Sequence, residues 1–141
     1  MAVKPIPEGH HTVTPYLVVR GVAQLIEFMK QAFAAEEIQR MNRPDGTLMH
    51  AEVRIGDSMV MLGEAGGAYE PMPAMLHLYV EDADAVYQRA LQAGAVSLRA
   101  PVDEAYGDRI GGVKDSFGNQ WWIATHIRDV SPAELAQLAG A

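Results

Sequence analysis

The chain repeats itself once, and this repeat restricts its fold more than any other feature. Val19, Val22, Leu25, Ile26 and Met29 recur 61 positions later as Val80, Ala83, Val86, Tyr87 and Ala90. Identity is low, but the apolar residues fall at the same phase. Near the end of each half, a spacing of 62 sets Gly56 on Gly118, Val60 on Trp122 and Glu64 on His126. Self-similarity of this length points to two copies of one supersecondary unit.

The unit reads as strand, helix, then three strands. TVTPYLVV (12–19) is rich in β-branched residues, as strands are. From Val22 the period changes to 3.6. Val22, Leu25, Ile26, Met29 and Phe33 form one apolar stripe, with Gln24, Glu27, Lys30 and Gln31 opposite. A strand over Glu37 to Asn42 follows, then the turn Arg43-Pro44-Asp45-Gly46. TLMHAEVRI (47–55), the turn Gly56-Asp57 and SMVMLGE (58–64) complete a module over 12–64. AGGAYEPMP (65–73) has no periodicity and reads as a linker.

The second module, 74–127, restarts with AMLHLYV. Asp82 or Glu81 caps a helix whose end is marked by Gly94. VSLRAPV (96–102) belongs at a sheet edge, because Pro101 has no N–H to give a ladder. DRIGGVKD and NQWWIATH close the module around the turn 115–118. Ser131-Pro132-Ala133-Glu134 joins a capping box to an N1 proline and predicts a C-terminal helix over about 131–139. Residues 1–11 read as an irregular arm.

Composition narrows the function classes. A chain of 141 residues, 49% hydrophobic and 21% charged, suits one globular domain over 1–141. Without cysteine there is no disulfide, thiolate nucleophile or cysteine-ligated zinc. A formal net charge of −7 argues against a nucleic-acid partner. No apolar run approaches the ~20 residues that span a bilayer, so no membrane partner is expected. The N-terminus shows no signal-peptide apolar region, and the expected location is cytoplasmic.

Three stretches carry a family resemblance: VTPYLVVRGVAQLIEFMKQAF, LHLYVEDADAVYQRALQAGA and YGDRIGGVKDSFGNQWWIATH. With the paired βαβββ order, they resemble the vicinal oxygen chelate superfamily of glyoxalase I, bleomycin-resistance proteins and extradiol dioxygenases. The phrasing most resembles its PhnB-like branch. The last stretch looks like that family's D-P-x-G-N turn, with Ser116 in place of the proline. The resemblance covers roughly 12 to 127. It implies an α+β fold in which two βαβββ modules form a glyoxalase-like curved mixed sheet with a central cavity. It also implies a homodimer, with modules from two chains completing each site.

Metal-dependent members draw four ligands from the first and last strand of each module. Carried over singly, those positions fall on Thr14, Met75, Val60 (or Leu62) and Trp122. None suits a divalent cation, so no metal and no other cofactor is expected there. The alternative is a divalent metal at a shifted site using His77 and Glu64, for which spacing supplies no third ligand. His10-His11 reads as solvated, able at most to pick up adventitious metal.

Alternation places Thr14, Tyr16 and Val18, then Val60, Leu62 and Glu64, on the cavity side. In the second module it places Met75, His77, Tyr79, Trp122, Ala124 and His126 there. From these the ligand contacts are Tyr16, Glu64, His77, Tyr79 and Trp122, an aromatic lining with a few polar groups. Trp122 either stacks on a flat ligand or fills the cavity, while Trp121 packs on the helix layer. Arg109 matches an arginine common at this point of the family. It suits an anionic ligand, or pairs structurally with Asp108 or Asp115. His50 and Glu52 share a strand face and are the candidate catalytic acid–base pair, or else a solvated ion pair. No phosphate loop, Ser–His–Asp order or HExxH stretch is present.

The expected function is a metal-free protein that binds or sequesters a small molecule. The alternative is a lyase, isomerase or dioxygenase-type enzyme with a non-standard metal or acid–base site. A third reading closes the cavity and leaves a surface interaction module.

Overall fold

The computed structural model describes residues 2–140. Met1 and Ala141, the outer residues of the single domain expected from sequence, lie outside the described residues. The chain divides into two compact units, Met1–Ala74 and Met75–Ala141. The first holds β1 (Tyr16–Val19), α1 (Val22–Phe33), β2 (Glu36–Asn42), β3 (Leu48–Ile55) and β4 (Ser58–Glu64). The second holds β5 (Met75–Tyr79), α2 (Ala83–Gln92), β6 (Val96–Asp103), β7 (Asp108–Lys114), β8 (Gln120–His126) and α3 (Pro132–Ala139). Each unit builds one four-stranded mixed sheet, ordered β1-β4-β3-β2 or β5-β8-β7-β6. The first strand of each unit runs parallel to the last, and the other pairs are antiparallel. This is the α+β, twice-βαβββ architecture read from the repeat. β1 starts at Tyr16 and not at Thr12, just after Pro15, whose carbonyl accepts from Met61 N. β6 is an edge strand, and its register breaks between Arg99 and Val102, around Pro101.

The helix stripes make the cores. In unit one, Val22, Leu25, Ile26 and Met29 of α1 are fully buried, as are Ala51, Val53 and Leu62 of the sheet. In unit two, Val86, Tyr87 and Ala90 of α2 lie over a sheet whose buried residues include Val113, Trp121 and Ile123. Each fully buried Val, Leu, Ile or Met side chain among them contributes roughly 1.5–3 kcal/mol relative to exposure. Trp121 therefore belongs to the helix side, as alternation requires.

The register corrects one expectation. Leu17 pairs with Leu62, and Leu78 with Ile123. Each partner is 61 positions from its counterpart, so the repeat keeps a spacing of 61 through its last strand and does not change to 62. Paired residues project to the same face. Val60, Leu62 and Glu64 therefore lie on the helix face, with Leu17 and Val19. Met59, Met61 and Gly63 take the open face with Tyr16, His50 and Glu52. A one-residue slip reverses every side chain of a strand. Its origin is turn length: Gly56-Asp57 joins β3 to β4, whereas five residues, 115–119, join β7 to β8.

The two helix starts differ chemically. Gly21 precedes α1 at φ 100 and has no side chain to cap with, so Glu64 reaches across from β4 instead. At α2, Asp82 and not Glu81 caps, accepting from Ala85 N. There Thr125 occupies the place of Glu64: its hydroxyl accepts from Ala83 N and donates to Val80 O. Ser131 caps α3 by accepting from Glu134 N, and α3 buries none of its residues.

Candidate functional site

Unit two presents an aromatic open face. Met75, His77 and Tyr79 come from β5, Trp122 and Ala124 from β8, and Ile110 and Gly112 from β7. Trp122 projects across the ladder and lies over Gly112. A Cβ at residue 112 would stand 2.6 Å from Trp122 Cζ3, so only glycine leaves room for the ring. Its indole N–H donates to Gln120 Oε1 at 3.1 Å. The Arg99 guanidinium lies 5.6 Å from the ring centroid, within cation–π range. Arg99 is itself held by Glu104 at 3.0 Å and by the Ile110 carbonyl. The rings of His77 and Tyr79 meet at 4.8 Å. Met75 and Tyr79 remain about two-thirds exposed, at 67% and 66%.

Polar groups gather at one end of this face. The Tyr79 hydroxyl donates to Asp108 Oδ2 at 2.8 Å. His126 contacts Asp108 Oδ1 through Nδ1 at 2.8 Å and Asp129 Oδ1 through Nε2 at 2.7 Å. Its hydrogen bond to Asp108, then that to Asp129, raise its pKa above the ordinary histidine value. Burial pushes the Asp108 carboxyl up, but hydrogen bonds from His126 and Tyr79 outweigh it and hold the carboxyl low. The bond to Asp108, with burial, pushes the Tyr79 phenol up.

Unit one uses the same device on its open face. Tyr16 of β1 lies across Gly63 of β4, where a Cβ would sit 2.7 Å from Tyr16 Oη. It reaches His50 of β3, with Oη 3.1 Å from Nδ1. His50 Nε2 is 4.0 Å from Glu52 Oε1, and Glu52 is 8% exposed. The other Glu52 oxygen lies 3.3 Å from His10 Nε2. His10 is thus not solvated: its side chain is covered and set against a buried carboxylate.

Two residues expected at the ligand stand elsewhere. Glu64 is on the helix face, where its carboxylate accepts from Gly21 N and Val22 N, each at 2.9 Å. Arg109 alternates with Asp108 and also faces the helix. It clamps Asp84 at 2.7 and 3.0 Å and Asp103 at 3.0 Å, and does not pair with Asp108 or Asp115. These two carboxylates raise the guanidinium pKa further, and Arg109 in turn lowers that of Asp84. Asp115 instead accepts from Phe117 N, Asn119 N and Trp121 Nε1, which ties the β7–β8 turn to the core. Arg99 and the two glycine seats were not anticipated. The only sequence signal for the seats is a mid-strand glycine with an aromatic on a neighbouring strand.

The inherited metal positions do not fit a divalent cation. Thr14, Met75 and Trp122 offer a hydroxyl, a thioether and an indole. Register makes Met61, a second thioether, the counterpart of Trp122 in place of Val60 or Leu62. The shifted alternative loses Glu64, which is engaged at α1. Among the described residues, no three His, Asp or Glu side chains are grouped to hold a metal ion. No helix among them is long and apolar enough to cross a membrane.

The model of the Glyoxalase/Bleomycin resistance protein/Dioxygenase superfamily matches residues 9–123. The uncharacterized protein Mb0911c of Mycobacterium bovis is 40% identical over 134 residues, 87% of this chain and 88% of that protein. Among solved structures, TioX from Micromonospora sp. ML1 superposes with a TM-score of 0.73 at 22% identity, covering 83% of this chain and 99% of that one. A PhnB protein from Bacillus cereus gives 0.65 at 17%, covering 82% and 99%. The family model spans both units, each built on the same βαβββ plan, and the chain belongs to the glyoxalase/bleomycin resistance protein/dioxygenase superfamily.

Proposed function

We propose that the protein is a metal-free member of the PhnB-like branch that binds or sequesters a planar, partly aromatic small molecule. The observation that carries this reading is Trp122, seated on Gly112 beside Arg99, with His77 and Tyr79 on the same face. A sheet gives up a side chain in mid-strand at some cost in stability, and here the space is used to lay an indole flat. Superposition on the Bacillus cereus PhnB protein supports the branch as far as fold goes. The protein works in the cytoplasm as a homodimer, in which apolar side chains such as Met75 and Val96 gain cover.

The test uses the contrast between the two indoles. Trp121 is fully buried, so a ligand acting on the open face quenches Trp122. Titration with planar aromatic natural products and antibiotics should change the emission saturably. Stacking adds about 0.5–1.5 kcal/mol beyond burial. Trp122→Ala should weaken the same compound about tenfold, since 1.4 kcal/mol is a factor of ten. A panel that leaves wild-type emission unchanged refutes the reading. Sedimentation should give twice the 15.3 kDa chain mass; a single-chain mass at micromolar concentration removes the homodimer.

A further inference from the structure

At the polar end of the open face of unit two, Tyr79 and His126 both give their protons to carboxylates. We propose that this end selects ligands by what they donate: the aromatic compound held on Trp122 carries a hydroxyl or another O–H or N–H group, and Tyr79 accepts from it. The inference rests on the binding reading above and adds the chemical class of the ligand.

Hydrogen-bond direction carries the argument. The Tyr79 hydroxyl donates to Asp108 Oδ2 at 2.8 Å. A phenol has one proton to give, so only its oxygen lone pairs are left for a ligand. The bonds that hold the Asp108 carboxyl low keep it ionised and able only to accept. The same contact pushes the phenol up, so Tyr79 keeps its proton. Donation to a carboxylate also polarises the phenol oxygen and makes it a better acceptor. His126 is spent in the same way, with its ring nitrogens on Asp108 Oδ1 at 2.8 Å and Asp129 Oδ1 at 2.7 Å.

The sheet brings Tyr79 within reach of a ligand on Trp122. Asp108 belongs to β7, so the Tyr79 side chain crosses β8 to meet it. Ala124, its partner in the ladder, is fully buried, whereas Tyr79 is 66% exposed. Asp108 is 3% exposed, so the phenol oxygen and not the carboxylate meets the ligand. Trp122 is two residues from Ala124, about 6.6 Å along the strand. A fused pair of aromatic rings with one substituent spans that distance. His77 pairs with Trp122, and its ring lies 4.8 Å from that of Tyr79. An imidazole donates or accepts according to its tautomer, so His77 suits either kind of substituent and does not select.

A ligand that sets an ether oxygen against Tyr79 opposes two acceptors and leaves both without a proton. Sites built to bond a hydroxyl discriminate against such analogues. Tyr79 stays in contact with water, so the expected effect is a preference and not exclusion.

2-Naphthol and 2-methoxynaphthalene test this, because they share a ring system and differ in whether the substituent donates. Titration calorimetry at neutral pH gives the affinity of each for wild type and for Tyr79→Phe, which keeps the ring and removes only the oxygen. The ratio of the two affinities should favour the naphthol about threefold or more in wild type relative to the variant, the span of one neutral hydrogen bond. Affinity for the methyl ether should stay within twofold, as an intact fold and ring require. A smaller change in the ratio overturns the proposal and leaves the binding reading standing. Failure of wild type to bind either compound overturns the binding reading, and this proposal with it.

Discussion

Replacing Glu64 by alanine should loosen α1 specifically. The carboxylate is the acceptor for two of the first free N–H groups of the helix, Gly21 and Val22, through contacts of 2.9, 3.2 and 2.9 Å. Hydrogen bonds to a charged group contribute about 1.5–3 kcal/mol each. A negative charge at a helix N-terminus adds about 0.3–1 kcal/mol. The site is part-buried, so water recovers some of the loss. The net cost of Glu64→Ala should then be about 2–4 kcal/mol, and that of Glu64→Gln about half, because an amide oxygen still accepts. Tryptophan emission is the wrong probe, since Trp121 and Trp122 both belong to unit two. Native-state amide exchange at Leu25, Ile26 and Met29 reads α1 directly. At 1.4 kcal/mol per factor of ten, exchange should quicken roughly 30- to 700-fold in the alanine variant. Exchange within threefold of wild type would refute the reasoning. So would a glutamine variant as loose as the alanine one, because the acceptor geometry would then count for nothing.

Gly112→Ala should displace the indole of Trp122, costing about 1–3 kcal/mol in overpacking and shifting its emission; an unchanged spectrum would mean that the ring does not rest on residue 112. Arg109→Ala should leave aromatic-ligand affinity within twofold in the same fluorescence titration, because the guanidinium is spent on Asp84 and Asp103 at the helix face. His126 should titrate by NMR above the ordinary ~6.5, and both Asp108→Asn and Asp129→Asn should lower its midpoint. Because the folded-state pKa is raised, the stabilisation is fully present below ~6.5 and fades as pH rises through the folded value; a wild-type midpoint at or below 6.5 would contradict this.

The architecture was legible because it rests on periodicity. The stripe Val22, Leu25, Ile26, Met29 specifies a helix and its buried face together, and the turn residues divide the strands at nearly the observed points. Alternation alone also put His77, Tyr79 and Trp122 on one face, and His50 and Glu52 on another. Phase failed in β4 because it was transferred between repeats whose last turns differ in length. At Glu64 the choice lay between a cavity and the donors of Gly21 and Val22, which are distant in sequence. Arg109 was misassigned for the same reason: Asp84, on α2, becomes its neighbour only after folding. Arg99 sits before the register break near Pro101, where alternation stops predicting a face. His10 lay in a segment with no periodicity, so nothing linked it to Glu52.

The glycine seats bear on how such a surface can change over generations. At Gly63 and Gly112 the aromatic ring occupies the volume where a Cβ would go. Every amino-acid replacement available to a glycine adds at least that atom, so either seat can change only if the ring above it moves or is lost. The residues resting on the seats are under no such limit. Tyr16 or Trp122 can give way to a smaller side chain and leave the strand beneath it unstrained. What the open faces accept is therefore free to drift one ring at a time, while each glycine is held only for as long as its ring stays.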